Sequence, residues 1–311
     1  MHHHPMKRYF VRPAKPEDIE AVYGLIAKQN KVDYGNPLRT IDDLRKTWET
    51  IDIETDTCTA HADGQLAGYA ELLEGDSLYI FLADRGNTDL AFQLMTILEE
   101  RALLHKTEKV KLFTKISEKN NTLLQLFASK GYRSNLSFLM MELEMDEPPP
   151  APEPVEGIEI RPFVQGQDEQ ATYRADEEAA EDKGYHDPLS YEAWVKRMGM
   201  DKPSFDPSIW FLAWDGNELA GVALNVYDRE ANIGWVDHLS VRRAWRRRGI
   251  GRALLIHSFR EFYARGIRRV KLNVDSKSLT NAPRLYEQVG MKAIQQYHIY
   301  TKEIDTVPPI S

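Results

Sequence analysis

The residues whose types and spacing could do chemistry are concentrated in one run, Leu239-Ser240-Val241-Arg242-Arg243-Ala244-Trp245-Arg246-Arg247-Arg248-Gly249-Ile250-Gly251-Arg252-Ala253-Leu254. It reads as a strand that passes through a basic turn into a helix. Arg246, Gly249 and Gly251 form the pattern Arg-x-x-Gly-x-Gly. Glycines at such a turn let the backbone approach a ligand closely, and the N–H groups and dipole of a helix start make a cradle for an anion such as pyrophosphate. The six arginines from Arg242 to Arg252 also fit a solvated face or an RNA patch, but glycines at a strand-to-helix turn favour a phosphate site. The Gly-x-Gly-x-x-Gly of a dinucleotide fold is absent, no long βαβ series follows, and the P-loop lysine is missing.

Such a loop needs a strand and a helix held by a sheet. The helix after Gly249 carries Leu255, Phe259 and Phe262 at helical spacing, and Val270 to Val274 alternates as a strand covered on one face would. The order of features occurs twice in the chain. Tyr9-Phe10-Val11-Arg12-Pro13 recurs as Ile158-Glu159-Ile160-Arg161-Pro162, and each precedes an amphipathic helix, the first with Ile19, Val22, Tyr23 and Ile26 on one face. Asp63-Gly64 and Asp215-Gly216 are matching hairpin signals; Val110-Lys111-Leu112 matches Val270-Lys271-Leu272, and Leu126-Phe127 matches Leu285-Tyr286. Between the halves, five prolines occupy the nine residues Asp146 to Glu153-Pro154, the composition of a semi-rigid linker. The expected organisation is two mixed α/β domains, 1–147 and 156–311, joined by a linker at 148–155.

Composition narrows the function. Forty basic against forty-eight acidic residues leave a net charge of −8, which speaks against a general nucleic-acid coat or a binder of acidic membranes. A single cysteine, Cys58, excludes an intrachain disulfide framework and a cysteine zinc cluster and suits a reducing cytoplasm. No run of 18 apolar residues occurs, and Met1-His2-His3-His4-Pro5-Met6 lacks the apolar core of a signal peptide. That leader is set aside as a non-structural remnant, and no metal is expected.

At this point the sequence resembles the GNAT superfamily of N-acetyltransferases, whose acetyl-CoA loop is Gln/Arg-x-x-Gly-x-Gly/Ala after the fourth strand. Leu285-Tyr286-Glu287-Gln288-Val289-Gly290-Met291 is similar to that superfamily's Leu-Tyr-Glu-x-x-Gly-Phe ending, and the resemblance runs from Ile158 to about Ile304. The two-domain layout is similar to that of the mycothiol synthase family of tandem enzymes. The resemblance implies two tandem domains, each a mixed, mostly antiparallel twisted sheet flanked by helices. It also implies that Arg246 to Arg252, with the backbone N–H groups of Arg247, Arg248, Gly249, Ile250 and Gly251 among them, hold the pyrophosphate. Leu239, Ser240 and Val241 would meet pantetheine, and Tyr286 would protonate the departing CoA thiolate. The superfamily commonly has Asn seven residues before this Tyr, where Leu279 stands here. Asn281 either substitutes for it or caps the following helix.

Acetyl transfer to an amine also needs a base. Asp237 shares strand parity with Leu239 and Val241 and ranks first, ahead of His238 and Asp275; a hydrogen-bonded structural carboxylate is the competing role for Asp237. The acidic, aromatic stretch from Asp176 to His186, with Glu177, Glu178 and Tyr185, and then Trp194, suits a cationic amine and equally a solvated helix face.

The first half lacks these features. Its corresponding turn is Ala83-Asp84-Arg85-Gly86-Asn87-Thr88-Asp89-Leu90, and Phe127 stands where Tyr286 stands. It is expected to be a degenerate domain. The reading is a cytoplasmic, acetyl-CoA-dependent N-acetyltransferase, monomer or homodimer, acting on a primary amine of a small molecule or a protein N-terminus, with no nucleic-acid or membrane partner. The alternative is a catalytically silent acyl-CoA sensor.

Overall fold

A computed structural model of the chain describes residues 8–104, 109–183, 186–278 and 281–305. The histidine leader lies outside them. The chain divides into two compact units, Met1–Ser137 with Gln295–Ser311, and Phe138–Ile294.

The first unit begins with β1 (Phe10–Arg12), α1 (Ile19–Tyr34), α2 (Ile41–Thr50) and α3 (Ile53–Asp56), followed by the meander β2 (Thr57–Ala62), β3 (Gln65–Leu73) and β4 (Ser77–Leu82). Then come α4 (Thr88–Ala102), β5 (Val110–Ser117), α5 (Asn121–Ser129) and the start of β6 (Arg133–Glu144). The expected hairpin closes at Asp63-Gly64, both with positive φ (52° and 75°), as a two-residue primed turn requires. β4 and β5 are parallel and paired only at Ser77–Phe113; the other paired strands of the unit are antiparallel.

The second unit repeats the order with β7 (Ile158–Pro162), α6 (Glu169–Ala180), α7 (Tyr191–Arg197), β8 (Phe211–Asp215), β9 (Glu218–Asp228), β10 (Ile233–Val241), α8 (Ile250–Ala264), β11 (Arg269–Asp275), α9 (Ala282–Gln288) and the start of β12 (Lys292–Ile304). Both units carry the same ion pair between first strand and first helix: Arg12 donates two hydrogen bonds to Asp18 (2.6 and 2.8 Å), and Arg161 two to Asp168 (2.6 and 2.8 Å). Such bidentate pairs fix geometry as well as energy. The amphipathic faces expected from spacing form: Val22 and Ile26 are buried on α1, and Leu255, Phe259 and Phe262 on α8.

The boundary expected at 147 needs correction. Residues Phe138 to Glu144 of β6 pair with β11 in the second unit, and Tyr297 to Ile304 of β12 pair with β5 in the first. The last strand of each repeat therefore completes the sheet of the other unit. The proline-rich 148–155 segment belongs to the second unit. There the Pro149 carbonyl accepts from Arg260 of α8 (2.9 Å), Glu153 pairs with Arg252 (3.0 Å), and Val155 packs near Ile250 and Leu254. A proline run has no internal hydrogen bonds, so its carbonyls are open to such donors.

Candidate active site

The loop of the second unit has the geometry of an anion cradle. β10 and β11 pair in parallel only from Ile233–Arg269 to Trp235–Lys271, after which β10 continues toward the loop paired with β9 alone, as far as Val241–Gly221. Arg247 and Gly249 both adopt left-handed φ (66° and 86°), which glycine does without strain and arginine does not. Gly249 heads α8 without a side-chain cap, and the first return bond of the helix is Ala253 N–H to Gly249 O (3.0 Å). The N–H groups of Ile250, Gly251 and Arg252 are the orphan donors of a helix start, and they sit at its positive end. Packing also requires a glycine at position 251. A β-carbon there would lie 3.3 Å from Leu285 and 3.7 Å from Val241, so this glycine lets α8 pack tightly against its neighbours.

Five of the six arginines are held by the protein itself. Arg242 pairs with Glu178 and Glu218, Arg243 and Arg246 with Asp182, Arg248 with Asp215, and Arg252 with Glu153. Arg246 also donates to Val241 O (3.0 Å), bracing the loop against β10. Their charge is largely spent on carboxylates.

In the first unit the equivalent helix start is closed. The Asn87 side chain accepts from Leu90 N–H (3.0 Å), Asp84 accepts from Gly86 N–H (3.0 Å), and Gln29 of α1 bonds Leu82 N–H (3.0 Å) and Ile80 O (3.4 Å) on β4. Phe127 is core, packed edge-on to Tyr132.

Across β10 the structure assembles a group that the sequence reading divided wrongly. His238 Nδ1 lies 2.8 Å from Asp176 Oδ2, Trp194 Nε1 donates to the same oxygen (3.0 Å), and Ser240 Oγ donates to Asp176 Oδ1 (2.8 Å). Asp176 is 3% exposed. Burial pushes its carboxyl up, yet the His238 hydrogen bond and charge, followed by those from Trp194 and Ser240, hold it at about 2. Burial likewise would lower His238, but the Asp176 hydrogen bond and charge, with Asp237 behind them and Lys183 opposing, raise it above its ordinary 6.5. With a carboxylate against Nδ1, the neutral ring carries its proton there and keeps Nε2 as the acceptor.

Asp237 is displaced by a bulge. Val236 faces Asn225 and His238 faces Leu224, so Asp237 has no partner on β9. The extra residue breaks the two-residue alternation on which the parity argument rested; the Asp237 side chain is 53% exposed, with Oδ2 3.9 Å from His238 Nε2. Leu239 and Val241 pack against Ile250 and Leu254, while His238 and Ser240 face Asp176 on α6.

The remaining expectations divide. Tyr286 lies on α9, 7% exposed, and burial raises its phenol pKa well beyond the ordinary value, so it stays protonated. Asn281 opens α9 in left-handed φ (57°) with no side-chain cap, so it does not cap the helix. Trp194 is fully buried and cannot touch a substrate; it holds Asp176 instead. Glu177 binds His186 and the Leu189 N–H, and Glu178 binds Arg242, so neither is a free carboxylate. Asp275 accepts from Lys277 N–H (2.8 Å). Tyr185 and Leu279 lie outside the described residues. In the sequence Asp176 is one of five carboxylates between 176 and 182. Its signal was position, a lone carboxylate on the face of α6 that also carries Thr172, Ala175 and Ala180, all buried.

Comparison with known proteins accords with this geometry. Residues 169–291 match the acetyltransferase (GNAT) family. The structure of a GCN5-related N-acetyltransferase from Sphaerobacter thermophilus is 34% identical, with 96% of each chain covered and a TM-score of 0.81. The chain belongs to the GNAT family. Curated relatives of this GNAT protein include the mycothiol acetyltransferases of Thermobispora bispora (32% identical over 53% of this chain and 57% of that protein) and Geodermatophilus obscurus (27% over 88% and 91%). The first of these is thus matched over little more than half its length. A tandem GNAT protein from the clavulanic acid biosynthesis pathway shares the fold at 14% identity, with a TM-score of 0.67 over 97% and 99% of the two chains. Among the described residues no helix is long and apolar enough to cross a membrane.

Proposed function

We propose that this GNAT protein transfers an acetyl group from acetyl-CoA to a primary amine at the second unit. The observation that carries the reading is the juxtaposition on β10 of a carboxylate-held imidazole with an uncapped helix start one loop away. Acetyl-CoA supplies an acetyl thioester. The N–H groups of Ile250, Gly251 and Arg252 bind its pyrophosphate, and the edge of β10 beyond Trp235, where β11 departs, offers Leu239 and Val241 backbone groups to the pantetheine arm. His238 Nε2 takes a proton from the acceptor amine, directly or through water, as the amine nitrogen forms its bond to the thioester carbonyl carbon. Asp176 holds the ring in the tautomer that leaves Nε2 open and stabilises the imidazolium that results. Tyr286, kept protonated by burial, donates to the thiolate as the carbon–sulfur bond breaks.

The first unit is read as CoA-free, because Asn87 and Asp84 occupy the donors that a pyrophosphate needs. The name of the curated relatives makes the acceptor of the mycothiol acetyltransferases the first to test, ahead of amino acids, peptide N-termini and amino sugars. The experiment is acetyl-CoA turnover against that panel with His238→Ala beside the wild type. Turnover on one amine, lost in the variant with acetyl-CoA affinity retained, supports the assignment. Saturable acetyl-CoA binding with no turnover on any amine would replace it with a silent acyl-CoA sensor.

A further inference from the structure

The first unit holds a cavity of about 240 Å³ where β4 and β5 diverge and α1 covers the gap. That is the space of about eight water molecules at ~30 Å³ each, and less than the ~300–1,000 Å³ typical of sites for drug-sized ligands. Its walls are polar and carry two carboxylates, Asp33 and Glu71, and two cations, Arg39 and Lys115. Asp33 is paired with Arg85 (2.5 Å) and Glu71 with Arg39 (2.7 Å), Glu71 also accepting from Tyr69 Oη (2.9 Å). Lys115 of β5 lines the same space. Its ammonium lies over the rings of Tyr297 (3.9 Å) and Tyr34 (5.3 Å), and among the described residues no carboxylate lies within ion-pair distance of it. Asn30 and Thr114, 6% and 4% exposed, also line the cavity and make no side-chain hydrogen bond among the described residues.

A largely buried cation without an anion is costly, and polar tips that open onto a cavity are available to whatever enters it. Lys115 and Thr114 from β5 and Asn30 from α1, all lining the cavity, specify what would fit it. We infer that this cavity is a second ligand site, for a small monocarboxylate that also carries hydroxyl or amide groups. The carboxylate meets Lys115, and the neutral polar groups meet Asn30 and Thr114. A phosphate dianion suits the site less well, because the forked guanidinium that favours it is committed at Arg39 to Glu71. The titratable and charged groups around the ammonium are Asp33 and Tyr34 from α1, Arg39 after it, Glu71 from β3, Tyr79 from β4 and Tyr297 from β12. Burial lowers the Lys115 pKa to about 8, so the free site loses its charge in mildly alkaline solution and a bound anion restores it.

The test is calorimetric titration of the full chain with acetate, L-lactate, gluconate and N-acetylglycine. Saturable binding of the polar carboxylates is expected with Kd below about 10 mM, about tenfold weaker at pH 9 than at pH 7, and at least tenfold weaker in Lys115→Met. That variant removes no ion pair, so its Tm is expected to match or exceed the wild-type value. A second readout needs no variant: the bound carboxylate slows acetic anhydride labelling of Lys115 near pH 8, followed by peptide mass spectrometry. No saturable binding of any of the four, equal affinity in Lys115→Met, or unprotected Lys115 at saturation each overturns the assignment.

Discussion

Replacing Asp176 by Asn isolates the charge behind the proposed base. The amide oxygen in place of Oδ2 can still accept from Trp194 and His238, and the amide nitrogen in place of Oδ1 can donate to the Ser240 hydroxyl once that rotates. Every hydrogen bond of the carboxylate is therefore retained in kind, and the negative charge is lost. A carboxyl held at about 2 rather than 3.8 corresponds to roughly 2–3 kcal/mol in favour of its charged form, at ~1.4 kcal/mol per pH unit. That contribution is present above the ordinary carboxyl value and is lost as pH falls through about 2. The His238 contribution has the opposite sign: it is fully present below 6.5 and is lost as pH rises through the elevated folded-state value. In Asp176→Asn, burial of the imidazole is no longer offset by its main partner, so the His238 pKa falls by about one to three units. The acid limb of kcat/KM moves down by the same interval, while the plateau rate drops roughly 10- to 100-fold because a weaker, less oriented base remains. The assay is the pH profile from about pH 5 to about pH 9, beside NMR titration of the His238 ring protons. A limb that stays fixed while the ring titration moves would show that His238 is not the base. A ring pKa that stays fixed would refute the electrostatic account of the pair.

Asp237→Asn is expected to leave kcat within about threefold, whereas His238→Ala lowers it about a hundredfold or more; steady-state rates at one saturating amine concentration compare them. Tyr286→Phe removes a hydroxyl and almost no volume, so kcat should fall about a hundredfold with acetyl-CoA affinity unchanged, and an affinity loss of similar size would make the tyrosine a binding group instead. Gly249→Val forces a β-branched residue into φ 86°, which costs at least ~1–2 kcal/mol, and should weaken acetyl-CoA at least tenfold by equilibrium titration. Asn87→Ala removes the α4 cap in the first unit and should lower stability by ~1 kcal/mol in denaturant unfolding, with acetyl-CoA stoichiometry still one per chain.

What the amino-acid sequence determined by itself is local in origin. The Arg-x-x-Gly-x-Gly turn, the Asp63-Gly64 hairpin and the amphipathic faces of α1 and α8 follow from backbone preferences and from neighbours three or four residues apart, and all of them form. The duplication was legible for the same reason, since each half repeats its own local signals, from the Arg12-Pro13 and Arg161-Pro162 strand ends to the Asp63-Gly64 and Asp215-Gly216 turns. The candidate base was not. Asp176 meets His238 across 62 positions, and nothing near either residue announces the other. One inserted residue at Asp237 reversed the reading of a strand whose alternation otherwise holds, because a bulge depends on how β9 and β10 are paired. The exchange of β6 and β12 between the units likewise rests on which strand edges meet. Register, ladder partners and the carboxylates that neutralise an arginine cluster are properties of the folded sheet, and only the tertiary structure decided them.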